Sequence, residues 1–495
     1  MSDPLWHKLG WLKDLQSDIS LAPRDWPSLI QLRSQELLDT GLKKGDRVLL
    51  SQGNHWSFFV DLFALWQCGA CPIPVDPQLS GLELQTLATH SGSQLLIQAP
   101  WQTVAPPPNC QRLPAWNTLP LIREQSSYPR LSGLGWDDPA LILYTSGSTG
   151  DPKGVVHSLR SLMTRLALLR PYVPLEALQK SLNLLPVHFG HGLICNCLYP
   201  LMAGQTLILM PAFGLAQLSQ LGPLIDQEEI SFLSSVPTLW KMALRLSAPP
   251  EKNSLKLIHC GSAPFSAALR HEIQQWSGIS AVRNVYGITE TGSWLAGSEI
   301  SCPDFCDGYV GQGWGTHISL QSEDPEGPAI HSPDQVGQVW VQTPALMIGY
   351  YLRPDLNAQA ISGSWLNTGD LGIWTPAGGL VLVGRKRHEI NKAGLKIWPE
   401  DIDRVLERHP AVADVCSFAI PDHIAGQEVG VALVLNEAHA LNDVKSWLKT
   451  QISAHKQPLR WFVCENIPRS SRGKVNREAV SNFCLSPRAE ATPNP

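Results

Sequence analysis

The sequence predicts a layered α/β protein with a largely parallel sheet and a second, smaller domain at its C-terminal end. Three observations carry this. From about Gly45 to Pro237, and on to Val285, short apolar runs alternate with longer segments of helical period, the pattern of strand–helix–strand units. Near Gly337 the texture turns to short β runs with Gly and Pro turns, and after Arg385 it changes again. At 495 residues the chain is also longer than the roughly 100–200 residues of one domain.

In chain order, Ala140 to Tyr144 reads as a strand, and Ser158 to Arg170 as a helix with apolar residues three and four apart. Thr206 to Met210 is a strand, Gly214 to Glu228 a helix, Ser231 to Val236 a strand and Leu239 to Leu246 a helix. Leu255 to Cys260 (strand), Ala267 to Trp276 (helix) and Ala281 to Val285 (strand) continue the alternation. Beyond Arg385, Pro399 stands near the start of a helix whose first turn is acidic, a favourable arrangement for the helix dipole. Strands at Ala413 to Ile420 and Val429 to Leu435 follow, then a helix at Leu441 to Ala454. The boundary falls near Gly384 to Arg387, giving domains over 1–384 and 385–485. The tail 486–495 is Pro-rich and polar and reads as disordered.

Composition narrows the class. With 38 Lys+Arg against 43 Asp+Glu the net charge is −5, without the basic footprint of a nucleic-acid binder. The 39 Gly and 40 Pro stay well below the roughly 25–30% share of low-complexity chains. Eleven cysteines, an odd count in a long chain, read as reduced residues of a reducing compartment. The first thirty residues carry Asp3, Lys8, Lys13, Asp14 and Asp18 and no apolar core of a signal peptide. No run approaches the ~18 apolar residues of a spanning helix, and Asp61 interrupts the apolar stretch near Phe58. These features lead us to expect a cytoplasmic enzyme with no integral membrane segment and no nucleic-acid partner.

The strongest local signal is YTSGSTGDPKG, Tyr144 to Gly154, directly after an apolar strand. Its glycines and hydroxyls can turn N–H and O–H donors toward phosphate oxygens, and Lys153 adds a cation. It is not a Walker loop, because Lys153 follows Pro152 and Gly154 stands where Ser or Thr is required. A Gly/Ser surface turn is the plainer reading of any short Gly-rich loop; eleven such residues after a buried strand are less generic. Other constellations are weak. Cys302 and Cys306, and Cys195 and Cys197, lack a second pair at zinc spacing. HEINK lacks the second His of a zinc-protease helix, and there is no G-x-S-x-G elbow.

The loop resembles the phosphate-loop signature of the acyl-adenylate-forming superfamily of AMP-binding enzymes, and the resemblance runs over nearly the whole chain. GLKKGDRVLL and FALWQCGACPIPVDP are similar to its N-terminal core segments, IHCGSAP and NVYGITETG to its adenine-site segments, and WLNTGDLG to its ribose segment. GRKRHEINKAGLKIWPEDID is similar to the domain-junction segment and IPRSSRGKVNRE to the C-terminal lysine segment. The resemblance implies a large N-terminal α/β domain with a β-barrel-like part and a small mobile C-terminal α+β domain. It also implies an acid–CoA ligase of the acyl-CoA synthetase type. Such an enzyme uses ATP, Mg²⁺ and coenzyme A to make acyl-AMP and then a thioester, with the small domain rotating between the half-reactions. A ligase loading an acyl carrier protein, or a family member that binds ligands without turnover, stays open as an alternative.

Residue by residue, the resemblance places Thr145, Ser146, Gly147, Ser148, Thr149, Gly150 and Lys153 on the β- and γ-phosphates and Thr289 on the α-phosphate. Glu290 would hold Mg²⁺. Gly261, Ser262, Ala263 and Pro264 would line the adenine, with Tyr286 and its neighbour Gly287 against it. Asp370 would accept from the ribose hydroxyls, with Arg385 nearby. Lys474 would bridge the substrate carboxylate and the α-phosphate, and Gly394 would let the pantetheine approach. Arg387 stands at the family hinge, where Asp or Lys is usual. In LLPVHFGHGL, Phe189 and His191 are candidates for gating the acid pocket, and Trp240 and Trp294 for lining it. No Asp stands in that segment to pair with an α-ammonium group, so the expected acid is apolar, fatty or aryl.

Overall fold

Six parallel strands form the spine of the molecule: Leu12–Asp14, Thr206–Leu209, Lys180–Asn183, Phe232–Ser235, Leu257–Gly261 and Val282–Ile288, side by side in that order. The protein is described by a computed structural model covering residues 8–120, 133–145, 152–211, 215–302, 305–322, 329–333, 335–392, 395–423, 425–437, 440–469 and 475–486. The central strands are covered on both faces, so their residues are almost all buried, as parallel sheets require. Hydroxyl caps start two of the covering helices. Ser158 accepts from Ser161 N ahead of Leu159–Leu169, and Ser266 from Leu269 N ahead of Ala267–Ser277, which Gly278 ends in the left-handed conformation.

Beyond Val282–Ile288 the same sheet continues antiparallel through Ser293–Gly297, Tyr309–Gly313, Leu380–Arg385, Trp365–Trp374, Gly337–Gln342 and His317–Gln321 to Ala329–Ile330. This corrects the barrel-like part expected from the sequence, since no closed barrel forms among the described residues. Closure needs both edges of a sheet to find each other. Here Ser293–Gly297 already pairs with Val282–Ile288 on one side and Tyr309–Gly313 on the other, which joins the antiparallel half to the parallel one. The helix expected over 214–228 is two helices, Leu215–Leu218 and Leu221–Glu228. Pro223 has no N–H to donate and so belongs in a first turn, which forces the restart.

Two smaller sheets flank the spine. Arg47–Ser51, Cys71–Pro74, Leu95–Gln98 and Gln111–Pro114 are parallel, and the wholly buried helix Trp56–Cys68 joins the first two. Asp61 in that helix is ion-paired with buried Arg33 and accepts from Gln52 at 2.7 Å, which satisfies the charge that interrupts the apolar run. Pro139–Thr145, Lys153–Ser158 and Gly349–Tyr350 form a three-stranded antiparallel sheet.

The chain leaves the large sheet at Arg385 and enters a separate one at Ile390. Here Val412–Asp422 and Gly426–Leu435 form a long hairpin, Arg460–Val463 adds in parallel, and Pro399–Leu406, Leu441–Gln451 and Arg477–Leu485 pack around them. The chain thus has a large N-terminal and a smaller C-terminal domain. They meet through Lys241–Glu407 at 2.8 Å, Arg408–Asp307 at 3.3 Å and Arg404 donating to Val383 O at 3.2 Å. A cavity of about 880 Å³ lies between them, lined by Asn54, Asp76, His188 and Lys241 on one side and Asp414 and Arg469 on the other. All eleven cysteines are free, and eight are buried. Among the described residues no helix is long and apolar enough to cross a membrane.

Candidate active site

The candidate residues gather at the carboxyl ends of the parallel strands, where open α/β sheets offer their ligand crevice. Leu257–Gly261 ends on Gly261, where a Cβ would collide with the carbonyl oxygen of Val285 in the next strand. Ser262 follows with φ +66°, a strained value for a non-glycine residue. Ala263 is half-buried and Pro264 exposed. Gly287 sits at a bulge after Tyr286, and a Cβ there would collide with the carbonyl of Ser293.

On the side expected to take the phosphates, Thr145 ends one strand and Lys153 begins its antiparallel neighbour, in register with it. Residues 146–150 between them lie outside the described residues. Lys153 Nζ stands 3.1 Å from Glu290 Oε1 and 4.0 Å from the centroid of the Tyr350 ring. The Tyr350 hydroxyl donates to the same Oε1 at 2.9 Å. Burial would raise the Glu290 carboxyl, but Lys153 and the hydrogen bonds outweigh it and hold the group below its usual range. Burial and Glu290 together push the Tyr350 phenol up. Behind them, His157 Nε2 donates to Thr289 O at 2.8 Å, and burial pushes its imidazole down to about 4.

On the side expected to take the ribose, Asp370 is 4% exposed, and both its oxygens are engaged. Arg385 Nε lies 2.6 Å from Oδ1, and the Tyr286 hydroxyl donates to Oδ2 at 2.6 Å. Asp370 and Arg385 face each other across neighbouring strands, so strand register itself sets the pair. Asp370 holds Arg385 firmly protonated, while burial and Asp370 push the Tyr286 phenol well up.

The expected acid side is different in kind. His191 opens a π-helical segment, His191–Leu198, and places its two ring nitrogens 2.9 Å from Ser262 Oγ and 2.7 Å from Ser234 Oγ. Trp294 stands edge-on to His191, with 5.6 Å between centroids, and is buried. His259 is buried beside Trp294 at 4.6 Å. The Trp294 indole N–H and both His259 ring nitrogens have no hydrogen-bond partner among the described residues, and burial pushes the His259 imidazole well down. Phe189 is half-buried, edge-on to His188. Trp240 corrects the sequence expectation. It is wholly buried, packed on Trp276 with its N–H donating to Ser235, because the apolar face of helix Pro237–Leu246 turns to the core. The same helix gives Thr238, Lys241 and Met242 to the interdomain cavity instead.

The fold thus brings together Thr145, Lys153, Thr289 and Glu290 as one group, and Gly261, Ser262, Tyr286, Gly287, Asp370 and Arg385 as another. Lys474, Gly394 and the Arg387 side chain lie outside the described residues. Sequence reasoning missed Tyr350, His157, His259 and Ser234, whose partners are brought near only by the fold and leave no spacing signal. Among the described residues no group of three or more His, Cys, Asp or Glu side chains could hold a metal unaided. A single carboxylate beside a lysine suits Mg²⁺ shared with phosphate oxygens, for which one or two protein carboxylates suffice.

A sequence profile described as AMP-binding enzyme matches residues 34–351, and one described as AMP-binding enzyme C-terminal domain matches 401–474. The chain is 28% identical to the oxalate–CoA ligase of Arabidopsis thaliana over 92% of each protein. It is 28% identical to the feruloyl-CoA synthase of an Amycolatopsis species over 89% of each. Its fold is similar to that of o-succinylbenzoate CoA synthetase from Bacillus subtilis in complex with its acyl-adenylate intermediate. The TM-score is 0.84 at 22% identity, covering 96% of this chain and 97% of that one. The same synthetase is also known in complex with ATP and a magnesium ion, with a TM-score of 0.83 at 23% identity and 97% and 99% coverage.

Proposed function

The chain belongs to the AMP-binding enzyme family, and from that premise we propose that it is an AMP-forming acid–CoA ligase. One observation carries this reading: a cation–carboxylate pair, Lys153–Glu290, and a two-handed carboxylate, Asp370, flank the strand ends beside His191, whose ring nitrogens stand on Ser262 and Ser234. The relatives named as an oxalate–CoA ligase and a feruloyl-CoA synthase, matched over about nine-tenths of their length, support the same reading.

In the first half-reaction a carboxylate oxygen of the acid attacks the α-phosphorus of ATP, and the bond to pyrophosphate breaks. In the second, a thiolate attacks the acyl carbon and AMP leaves. Such steps depend on positioning and on charge placed where negative charge accumulates. The segment 145–153 closes over the β- and γ-phosphates, Lys153 leaving Glu290 for phosphate oxygens, and Thr289 donates to the α-phosphate. Glu290 would hold Mg²⁺, which when bound would supply positive charge for the pyrophosphate oxygens. Gly261 to Pro264 and Tyr286 receive the adenine, and Asp370 takes the ribose hydroxyls in place of Arg385. Lys474 bridges the acid and the α-phosphate. Phe189, His191 and Trp294 face an apolar, fatty or aryl acid. Residues 1–384 carry these sites and 385–485 rotate to bring first Lys474 and then Gly394 to them.

Acid-dependent ATP–pyrophosphate exchange over fatty, aryl and amino acids, with CoA then added to each hit, tests the reading. Exchange followed by acyl-CoA supports it; exchange without a CoA product points to a carrier protein, and no exchange with any acid points to a ligand-binding member. Lys474→Ala should nearly abolish exchange while largely sparing thiolation of supplied acyl-AMP, and near wild-type exchange would remove Lys474 from the reaction.

A further inference from the structure

Tyr350 is held more firmly than a two-residue strand suggests. Gly349–Tyr350 pairs with Lys153–Ser158, and flanking bonds run from Ile348 N to Val156 O at 2.8 Å and from Tyr351 N to Gly154 O at 2.7 Å. Tyr350 N donates to Asn357 Oδ1 at 2.8 Å, and Met347 N to Glu290 O at 2.8 Å. The strap 347–351 therefore grips Glu290 by its main chain while Tyr350 reaches its carboxylate. The Tyr350 side chain is 6% exposed, its hydroxyl lies on Glu290 Oε1, and its ring lies under the Lys153 ammonium.

We infer that Tyr350 is a positioning residue for metal use: its hydroxyl fixes the Glu290 carboxylate, and its ring holds Lys153 within reach of the incoming phosphates. The inference rests on the proposed role of Glu290. A carboxylate shared between a lysine and a phenol loses one partner when phosphates draw the lysine away. The phenol stays, because its backbone is pinned on both sides. It orients the carboxylate while leaving acceptor positions for a cation, since a carboxylate offers about four. Without the hydroxyl, Lys153 is the one side chain left on the Glu290 carboxylate among the described residues, and the metal must compete with that ion pair. Outer partners of metal ligands commonly contribute about 10- to 100-fold to metal affinity.

The test is calorimetric binding of a non-hydrolysable ATP analogue to the full chain, once in EDTA and once in saturating Mg²⁺. Tyr350→Phe keeps the ring and its packing. It should leave the EDTA affinity within about two-fold and weaken the Mg²⁺ affinity by roughly 10-fold. Tyr350→Gln, which restores a donor without a ring, should recover part of the Mg²⁺ effect and weaken binding in EDTA. Glu290→Gln is the control and should remove most of the Mg²⁺ dependence. An unchanged Mg²⁺ dependence in Tyr350→Phe, with loss in Glu290→Gln, overturns the role of Tyr350 alone. An unchanged dependence in Glu290→Gln overturns the assignment of Glu290, and the inference falls with it.

Discussion

The half of the crevice proposed to face the nucleotide and the half proposed to face the acid treat polarity in opposite ways. Around Glu290 and Asp370 every charge is answered: Lys153 and Tyr350 hold one carboxylate, Arg385 and Tyr286 the other. Around Trp294 three buried polar atoms, the indole N–H and both nitrogens of His259, have no hydrogen-bond partner among the described residues, and burial, helped by the Arg283 guanidinium over the neighbouring Trp314 ring, pushes the His259 imidazole down. The first half must exchange partners to bind, so its selectivity lies in charge and geometry. The second half has no ion pair to exchange, so it selects by shape and by which of its hydrogen-bonding groups an acid can reach. A chain built this way can keep one nucleotide site while its acid changes.

The sharpest way to break that contrast is Asp370→Asn. It leaves Arg385 without its partner and Tyr286 with a weaker one, and it should reduce AMP affinity by at least roughly 100-fold, two charge-assisted hydrogen bonds being worth about 1.5–3 kcal/mol each. A loss under three-fold by calorimetry would make the carboxylate a partner of Arg385 and nothing more. Next, His191→Phe removes both serine contacts while keeping the bulk. It should raise the KM for the acid about 10-fold and that for ATP by less than two-fold. Equal rises would show that Ser262, shared between the two halves, couples them.

A third effect is on stability rather than on binding. Folding pushes the His157 imidazole down to about 4 from its ordinary value. The folded chain therefore binds fewer protons than the unfolded one between about 6.5 and 4, and the stability this histidine contributes is present above that window and lost as pH falls through it. The full swing is roughly 3 kcal/mol. His259 is shifted in the same direction. Denaturant melts at pH 7 and pH 5 should show a shallower pH dependence in His157→Gln than in the parent chain; parallel curves would dismiss the histidine.

What the sequence made legible follows from range. The strands ending at Tyr144, Val236 and Cys260 and the capped helices after Ser158 and Ser266 are local patterns, and the structure places them within a few residues. The halving of the 214–228 helix was also local, signalled by Pro223, yet its apolar period hid it. The open path of the large sheet depends on which strand edges meet, which no window of residues records. The same holds at the site. Lys153 and Glu290 are 137 residues apart and Tyr350 is 60 beyond Glu290, so motif order could name the first two but not the residue that joins them. Trp240 shows the converse, since a tryptophan's chemistry suits a pocket or a core equally, and only helix orientation decides.

The three-stranded sheet has a consequence for recombination. Thr145, Lys153 and Tyr350 share it, but two of its strands come from 139–158 and the third from 349–350. A chimera crossed over between residues 159 and 348 would join one parent's lysine to another parent's tyrosine. These two short pieces are therefore a single unit of inheritance, separated in the chain and contiguous in space, and acid-pocket swaps that carry both together should keep their nucleotide chemistry.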